Sequence, residues 1–251
     1  MKQVIWTQTY DVNTIVLDHH KRLGLFGLLN LLQDIAWLHA KHLGWGYEAL
    51  VEHGTAWVLV RQKLVMADWP VWGDVVEVRT WPRGVNGALA VREFEIVAGD
   101  RKFGECSTSW LIIDAQTRRP TKIDREAFRK NARTEGCLAI EAQKIALRTD
   151  LKTEATFQVR NSDLDVNGHV NNTRYAQWIL DSIPLEAHAA YRLDEYEINF
   201  LAETNVGDTV VIERGEVEPS PTSPTRWQFQ GRRMPDDKTV FVARLGTTPR
   251  P

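Results

Sequence analysis

Between Leu25 and Gly44, the apolar residues Leu28, Leu31, Leu32, Ile35 and Leu38 recur at three- and four-residue steps. That spacing lays them along one stripe of an α-helix, and the glycine closes it. An extended stretch, residues 8–18, precedes this run. Four segments of alternating apolar and polar residues follow, at 56–67, 73–84, 88–99 and 102–114, each with the period of a half-buried strand. The order then returns. Extended residues 155–163 precede a helical run from Val170 to Ser182, and strand-like segments follow at 195–203, 207–218, 225–234 and 238–248. The best local echo is VWGDVVEVRTW against NVGDTVVIERG, in which a Gly-Asp turn launches an alternating strand.

Strand, helix and antiparallel meander, twice over, predict an α+β chain of two similar units. In each, one helix covers the apolar face of a sheet. The pattern looks like a double hotdog, two hotdog folds in one chain, each a sheet wrapped around a long helix. The expected boundaries are residues 1–120 for the first unit, 121–150 for a polar, charged linker with weak helical content around Glu126 to Arg133, and 151–251 for the second. Two such units in one chain reproduce the pairing that single units obtain by dimerising, which allows a monomer or a homodimer.

Composition narrows the classes. The chain has 251 residues, 43% hydrophobic and 25% charged, with formal net charge −2, which argues against bulk attraction to nucleic acid or a membrane surface. No apolar run approaches the ~20 residues of a spanning helix. The segment MKQVIWTQTYDVNT lacks the blocks of a secretory signal and is not an Arg-rich transit peptide, so a cytoplasmic location is expected. Cys106 and Cys137 lie far apart; neither a disulfide framework nor a zinc site is expected. Cys106, in an alternating strand pattern, reads as a buried inert thiol.

The densest polar cluster is DLDVNGHVNN, Asp163 to Asn172, directly before the second helical run. Six polar side chains exceed what a helix cap requires. Matching Gln33 with Gln177 sets Asp165, Asn167 and His169 against Lys21, Leu23 and Leu25 of the first half. Matching the Gly-Asp turns sets Glu203 against Trp69. On that alignment the first half manages without these four polar groups. Asp165, Asn167, His169 and Glu203 suit addition of water to an activated carbonyl. Backbone N–H groups at the helix start favour an oxyanion. Asn167 donates to a carbonyl or holds a water, His169 donates or accepts a proton, Asp165 orients His169 or Asn167, and Glu203 or His169 acts as base. Asn171 and Asn172 are helix-start residues with a supporting, substrate-binding role. No G-x-S-x-G elbow is present, so direct water attack is favoured over a covalent intermediate. No metal or cofactor is expected.

These residues resemble a known signature. DLDVNGHVNNTRYAQWILDSIP, with NLLQDIAWLHAKHLG, WPVWGDVVEVRTWPRG and STSWLIIDAQTRRPTKI in the first half, is similar to the acyl-acyl carrier protein (acyl-ACP) thioesterases of bacterial type. Those enzymes end fatty acid synthesis by hydrolysing the acyl thioester. The resemblance implies a double hotdog, with Asp165, Asn167, His169 and Glu203 as catalytic residues. Some members have a cysteine directly after the glutamate, once proposed as nucleophile; here it is Thr204, which argues against a cysteine mechanism. The first half would supply an apolar acyl tunnel between its helix and its sheet, with Trp37 and Trp57 as candidate lining. Each buried methylene contributes about 0.8 kcal/mol, so tunnel depth sets chain-length preference.

The carrier protein is acidic in this reaction, so Arg118, Arg119, Lys122 and Arg125, with Arg129 and Lys130, are candidates to steer it. Asp114, Asp124 and Glu126 are interspersed among them. The expected function is hydrolysis of fatty acyl-ACP, terminating fatty acid synthesis. The alternatives are an acyl-CoA thioesterase on the same fold and a non-catalytic acyl- or carrier-binding module. A hotdog hydratase is disfavoured, because its histidine follows the aspartate by five residues with a proline after the asparagine. Here the spacing is four and no proline follows.

Overall fold

The long apolar stripe of the first half folds as expected. In the computed structural model, which describes residues 4–219 and 223–250, helix α1 (Leu25–Leu43) buries Leu28, Leu32 and Ile35 and leaves Trp37 exposed. Gly44 closes it with φ 86°, its N–H bonded to the carbonyls of Ala40 and Lys41. That left-handed cap is one glycine adopts without a Cβ clash. Met1 to Gln3, at the head of the segment read for a leader, lie outside the described residues, as do Ser220 to Thr222 and Pro251.

The chain divides into two units, Met1–Ala142 and Gln143–Pro251. In the first, β1 (Trp6–Asp11), β2 (Thr55–Met66), β3 (Val75–Asn86), β4 (Leu89–Ala98) and β5 (Arg101–Asp114) form an antiparallel sheet in the order β1-β3-β4-β5-β2. Val76, Val78, Leu64, Phe94 and Ile96 are buried on it, as period-two alternation requires when one face is covered. Two short helices complete the unit, α2 (Tyr47–Glu52) and α3 (Arg125–Lys130).

The second unit contains β6 (Lys152–Gln158), a 3-10 turn (Asn161–Asp163), α4 (Asn172–Asp181), α5 (Leu185–Ala190), β7 (Tyr191–Phe200), β8 (Thr209–Val217), β9 (Thr225–Met234) and β10 (Lys238–Pro249). Its antiparallel sheet runs β7-β10-β9-β8-β6. Tyr175 of α4 sits edge-on to Phe200 and Phe241, with ring centroids 5.7 and 5.3 Å away, anchoring the helix to the sheet.

The expected linker is not a free connection. Residues up to Ala142 pack within the first unit. Phe128 stacks on Trp45 at 4.6 Å, and the Leu138 N–H donates to Glu93 Oε2 at 3.1 Å. From Gln143 the chain is strapped to the second unit by side chains that read its backbone. The N–H groups of Gln143, Ile145 and Arg148 donate to Glu197, Asn199 and Gln230 at 2.7, 2.8 and 2.7 Å. Asn199, Gln228 and Gln230 donate back to the carbonyls of Gln143, Ala146 and Arg148.

The two units share one loop scaffold, with matching backbone bonds at corresponding positions. Val12 N–H reaches Asp74 O at 2.9 Å, and Val159 N–H reaches Asp208 O at 2.8 Å. Leu23 N–H donates to Pro70 O at 2.8 Å, and Val170 N–H to Thr204 O at 3.1 Å. Asp18 N–H donates to Arg22 O at 2.7 Å, and Asp165 N–H to His169 O at 2.8 Å. Residues 12–24 thus correspond one for one to 159–171. This corrects the alignment drawn from the helices. Asp165 matches Asp18 rather than Lys21, Asn167 matches His20 rather than Leu23, and His169 matches Arg22 rather than Leu25. The Gly-Asp match of Glu203 with Trp69 stands. The slip is three residues, close to one helical turn, so the apolar stripes still coincide when the register is wrong.

At Gly27 the loop lies so close to α1 that an added Cβ would sit 2.8 Å from Val16 Cα. Gly27→Ala gains up to about 1 kcal/mol of helix propensity but forces backbone apart, an overpacking cost of about 1–3 kcal/mol. The urea midpoint is expected to fall; a raised midpoint contradicts this packing.

Candidate active site

The loop before α4 is shaped by one carboxylate. Asp165 Oδ1 accepts the N–H of Asn167 at 2.8 Å and of His169 at 3.3 Å, an aspartate turn that folds the chain back on itself. Gly168, at φ 78°, supplies the left-handed residue the reversal needs. Asp18 does the same in the first unit, accepting the N–H of His20 and Arg22 at 2.8 and 3.0 Å. An aspartate is therefore the loop-former in both repeats, Asp18 in the first and Asp165 in the second.

What differs is what the loop presents. His169 Nε2 lies 3.6 Å from Glu203 Oε2, although the two residues are far apart in sequence. Their side chains are 34% and 46% exposed, so water reaches both. Asn167 is exposed on the same loop, its Nδ2 3.4 Å from Asp165 Oδ2. The first unit carries His20, Arg22 and Trp69 at these positions, and Arg22 there pairs with Asp68 at 3.2 Å.

Glu203 stands on a tied-down turn. Arg233 Nη1 of β9 donates to the Glu203 carbonyl at 2.5 Å. Thr204 is fully buried, and its hydroxyl accepts from Tyr175 at 2.9 Å. Sequence reasoning assigned neither Tyr175 nor Arg233. A usable signal for Tyr175 was its partner in the other repeat, Leu28, at the same step from the helix start, with Pro70 in place of Thr204.

Other expectations land elsewhere. Asn171 is the N-cap of α4, its Oδ1 accepting from Thr173 N and Oγ1 at 3.0 Å each. That N–H is thereby committed to the cap and not to an oxyanion. Asn172 is the first helical residue, half-buried. Trp37 is exposed beneath Lys41, and Trp57 of β2 lies edge-on to Phe128. Arg118, Arg119, Lys122 and Arg125 are exposed in the first unit, with Arg125 donating to Gly87 O at 2.7 Å. Cys106 is fully buried, and burial pushes its thiol up to about 12, as an inert thiol requires. A cleft of about 390 Å³ opens between β6 and α4, where Phe157, Arg160, Asp163, Arg174, Trp178 and Asp181 contribute to its lining. None of the four clustered residues lines it.

Family models place the chain. The N-terminal domain of the acyl-ACP thioesterases matches residues 3–130, and their C-terminal domain matches 147–232. The chain belongs to the acyl-ACP thioesterase family, and its fold is of the hotdog type. It is 27% identical over 80% of its length to the chloroplastic dodecanoyl-[acyl-carrier-protein] hydrolase of Cinnamomum camphora, and 30% identical over 80% to the chloroplastic palmitoyl-acyl carrier protein thioesterase of Gossypium hirsutum. It spans 56% and 52% of those two proteins, somewhat over half their length. A solved acyl-ACP thioesterase from Bacteroides thetaiotaomicron is similar along 97% of this chain and 98% of its own, at TM-score 0.87 and 26% identity. Among the described residues, no helix is long and apolar enough to cross a membrane.

Burial lifts the Tyr175 phenol from 10.0 to about 12, and Tyr10 moves the same way for the same reason. The native state keeps these protons where the unfolded chain releases them. The Tyr175 contribution is full below pH 10 and is lost as pH rises toward 12. Stability to urea is expected to fall across that range, less steeply in Tyr175→Phe. An identical slope in the variant contradicts the assignment.

Proposed function

We propose that the protein hydrolyses fatty acyl thioesters carried on acyl carrier protein, releasing fatty acid and carrier and so terminating chain synthesis. The observation that carries this is the approach of His169 to Glu203 at 3.6 Å beside a loop that also bears Asn167. That separation is longer than a direct hydrogen bond and leaves both groups able to share a water.

Water adds to the thioester carbon, and the pair accepts its proton, Glu203 or His169 serving as base. Negative charge builds on the carbonyl oxygen, where the Asn167 amide is the neutral donor at hand. The carbon–sulfur bond then breaks, and the proton taken from water returns to the thiolate; imidazole both accepts and gives protons, which suits His169 to that transfer. Asp165 acts by positioning, since Asp18 folds the matching loop where the pair is absent. The matching loop of the first unit bears Arg22 and Trp69, which supply neither an imidazole nor a carboxylate there. The fatty acyl chain is assigned to the apolar interior of the first unit. The acidic carrier is assigned to the basic surface of Arg118, Arg119, Lys122 and Arg125, in the cytoplasm.

Free thiol released from acyl-ACP and acyl-CoA of several chain lengths tests the reading. Release from acyl-ACP is expected, and faster turnover of CoA esters would move the protein to the neighbouring class. His169→Ala and Glu203→Gln are each expected to lower kcat by about 10²-fold or more. Stability should change by less than about 1 kcal/mol, because pairs of partly exposed side chains contribute little. Retained turnover, or collapse of the fold, contradicts the roles assigned to His169 and Glu203.

A further inference from the structure

Comparing the two repeats separates scaffold from function. Bonds present in both units belong to the fold: the aspartate turns of Asp18 and Asp165, and the backbone bonds from Leu23 to Pro70 and from Val170 to Thr204. The side chains that bond the Glu203–Thr204 segment are another matter. Tyr175 occupies the place of Leu28, and Thr204 that of Pro70, which has no side-chain hydroxyl to accept a bond. In the second unit, a buried phenol and a buried threonine hydroxyl meet at 2.9 Å.

Arg233 adds a clamp from the sheet. Its Nη1 holds the Glu203 carbonyl at 2.5 Å, while Nε and Nη2 grip Asp236 at 3.1 and 2.6 Å. The forked guanidinium is thereby fixed in orientation before it reaches the turn. With the Val170 N–H on the Thr204 carbonyl at 3.1 Å, three elements converge on two consecutive residues: the loop of His169, helix α4 and strand β9. Half-exposed glutamates are ordinarily free to sample rotamers. Here the backbone beneath one is secured from three directions, and its carboxylate lies against an imidazole.

We infer that Tyr175, through Thr204, and Arg233, through the Glu203 carbonyl, are positioning residues that hold Glu203 against His169 for the proposed hydrolysis. The inference rests on that reading of function for its kinetic consequence, but not for its geometric one. Neither residue touches the reacting atoms. Each acts through the placement of Glu203, so its loss should appear in the chemical step rather than in substrate binding. A misplacement on the order of 1 Å costs up to about 10²-fold in such a step.

The experiment compares Tyr175→Phe, Thr204→Val, their double variant, Thr204→Ser and Arg233→Met with the parent chain. It measures kcat and KM on acyl-ACP and the imidazole resonances of His169 in histidine-labelled protein, assigned by their loss in His169→Gln. Tyr175→Phe and Thr204→Val should each lower kcat about tenfold or more with KM nearly unchanged. The double variant should be no worse than the poorer single one, because both remove the same bond. Thr204→Ser, which keeps the acceptor, should recover most of the loss, and Arg233→Met should lower kcat like the first pair. The His169 resonances should move in every impaired variant, in the direction seen in Glu203→Gln. Parental kcat in the single variants, additive losses in the double variant, or unmoved His169 resonances overturn the inference. If the parent chain releases no thiol from any substrate, the hydrolase reading fails, and the His169 resonances alone then decide the positioning.

Discussion

The Asp165 carboxylate, by accepting the N–H groups of Asn167 and His169, fixes where the loop ahead of α4 presents those two side chains. The turn it forms reverses the chain through Gly168 and delivers Val170 to the Thr204 carbonyl. Because Thr204 follows Glu203, this single backbone bond sets the imidazole loop and the acid-bearing turn side by side. The 3.6 Å approach of His169 to Glu203 thus follows from the fold. Attraction between the two partly exposed side chains is not required to bring them together.

The same loop, with the same bonds, exists in the first unit and bears Arg22 and Trp69 where the second bears His169 and Glu203. A repeated scaffold with different side chains is the condition under which one copy can specialise in chemistry. The other is then free to devote its interior, lined by Leu28, Leu32, Phe94 and Ile96, to apolar burial. The contrast extends to neighbouring packing. Gly27 lets the Val16 backbone close onto α1, whereas the matching residue Arg174 reaches the Ser162 carbonyl at 2.8 Å and borders an open cleft.

Much of this was legible in the sequence, for reasons that also explain what was not. Strands such as β9 and the stripe of α1 have strong periodicity, and their limits fell where the pattern placed them. Helices α2 and α5 bury no residue, so no stripe announced them. The expected linker looked polar because its buried residues, Phe128, Leu138, Ala142 and Ile145, are scattered. The side chains that bind its later part come from β7 and β9. The four clustered residues were found from their chemistry, but the internal control used to support them was out of register by three. Correcting it moves Asp165 from a residue peculiar to the site to one the fold requires, and leaves Asn167, His169 and Glu203 as the part the first unit lacks.

The most direct test of the central claim, that the His169–Glu203 pair activates a water which itself attacks the thioester, is a single turnover in oxygen-18 water with enzyme in excess over acyl-ACP. The fatty acid released should carry one oxygen-18 atom, and the peptide containing Glu203 should carry none. Heavy oxygen in the Glu203 carboxylate, or a first-turnover fatty acid without it, would show that the carboxylate attacked the acyl group and would contradict the account.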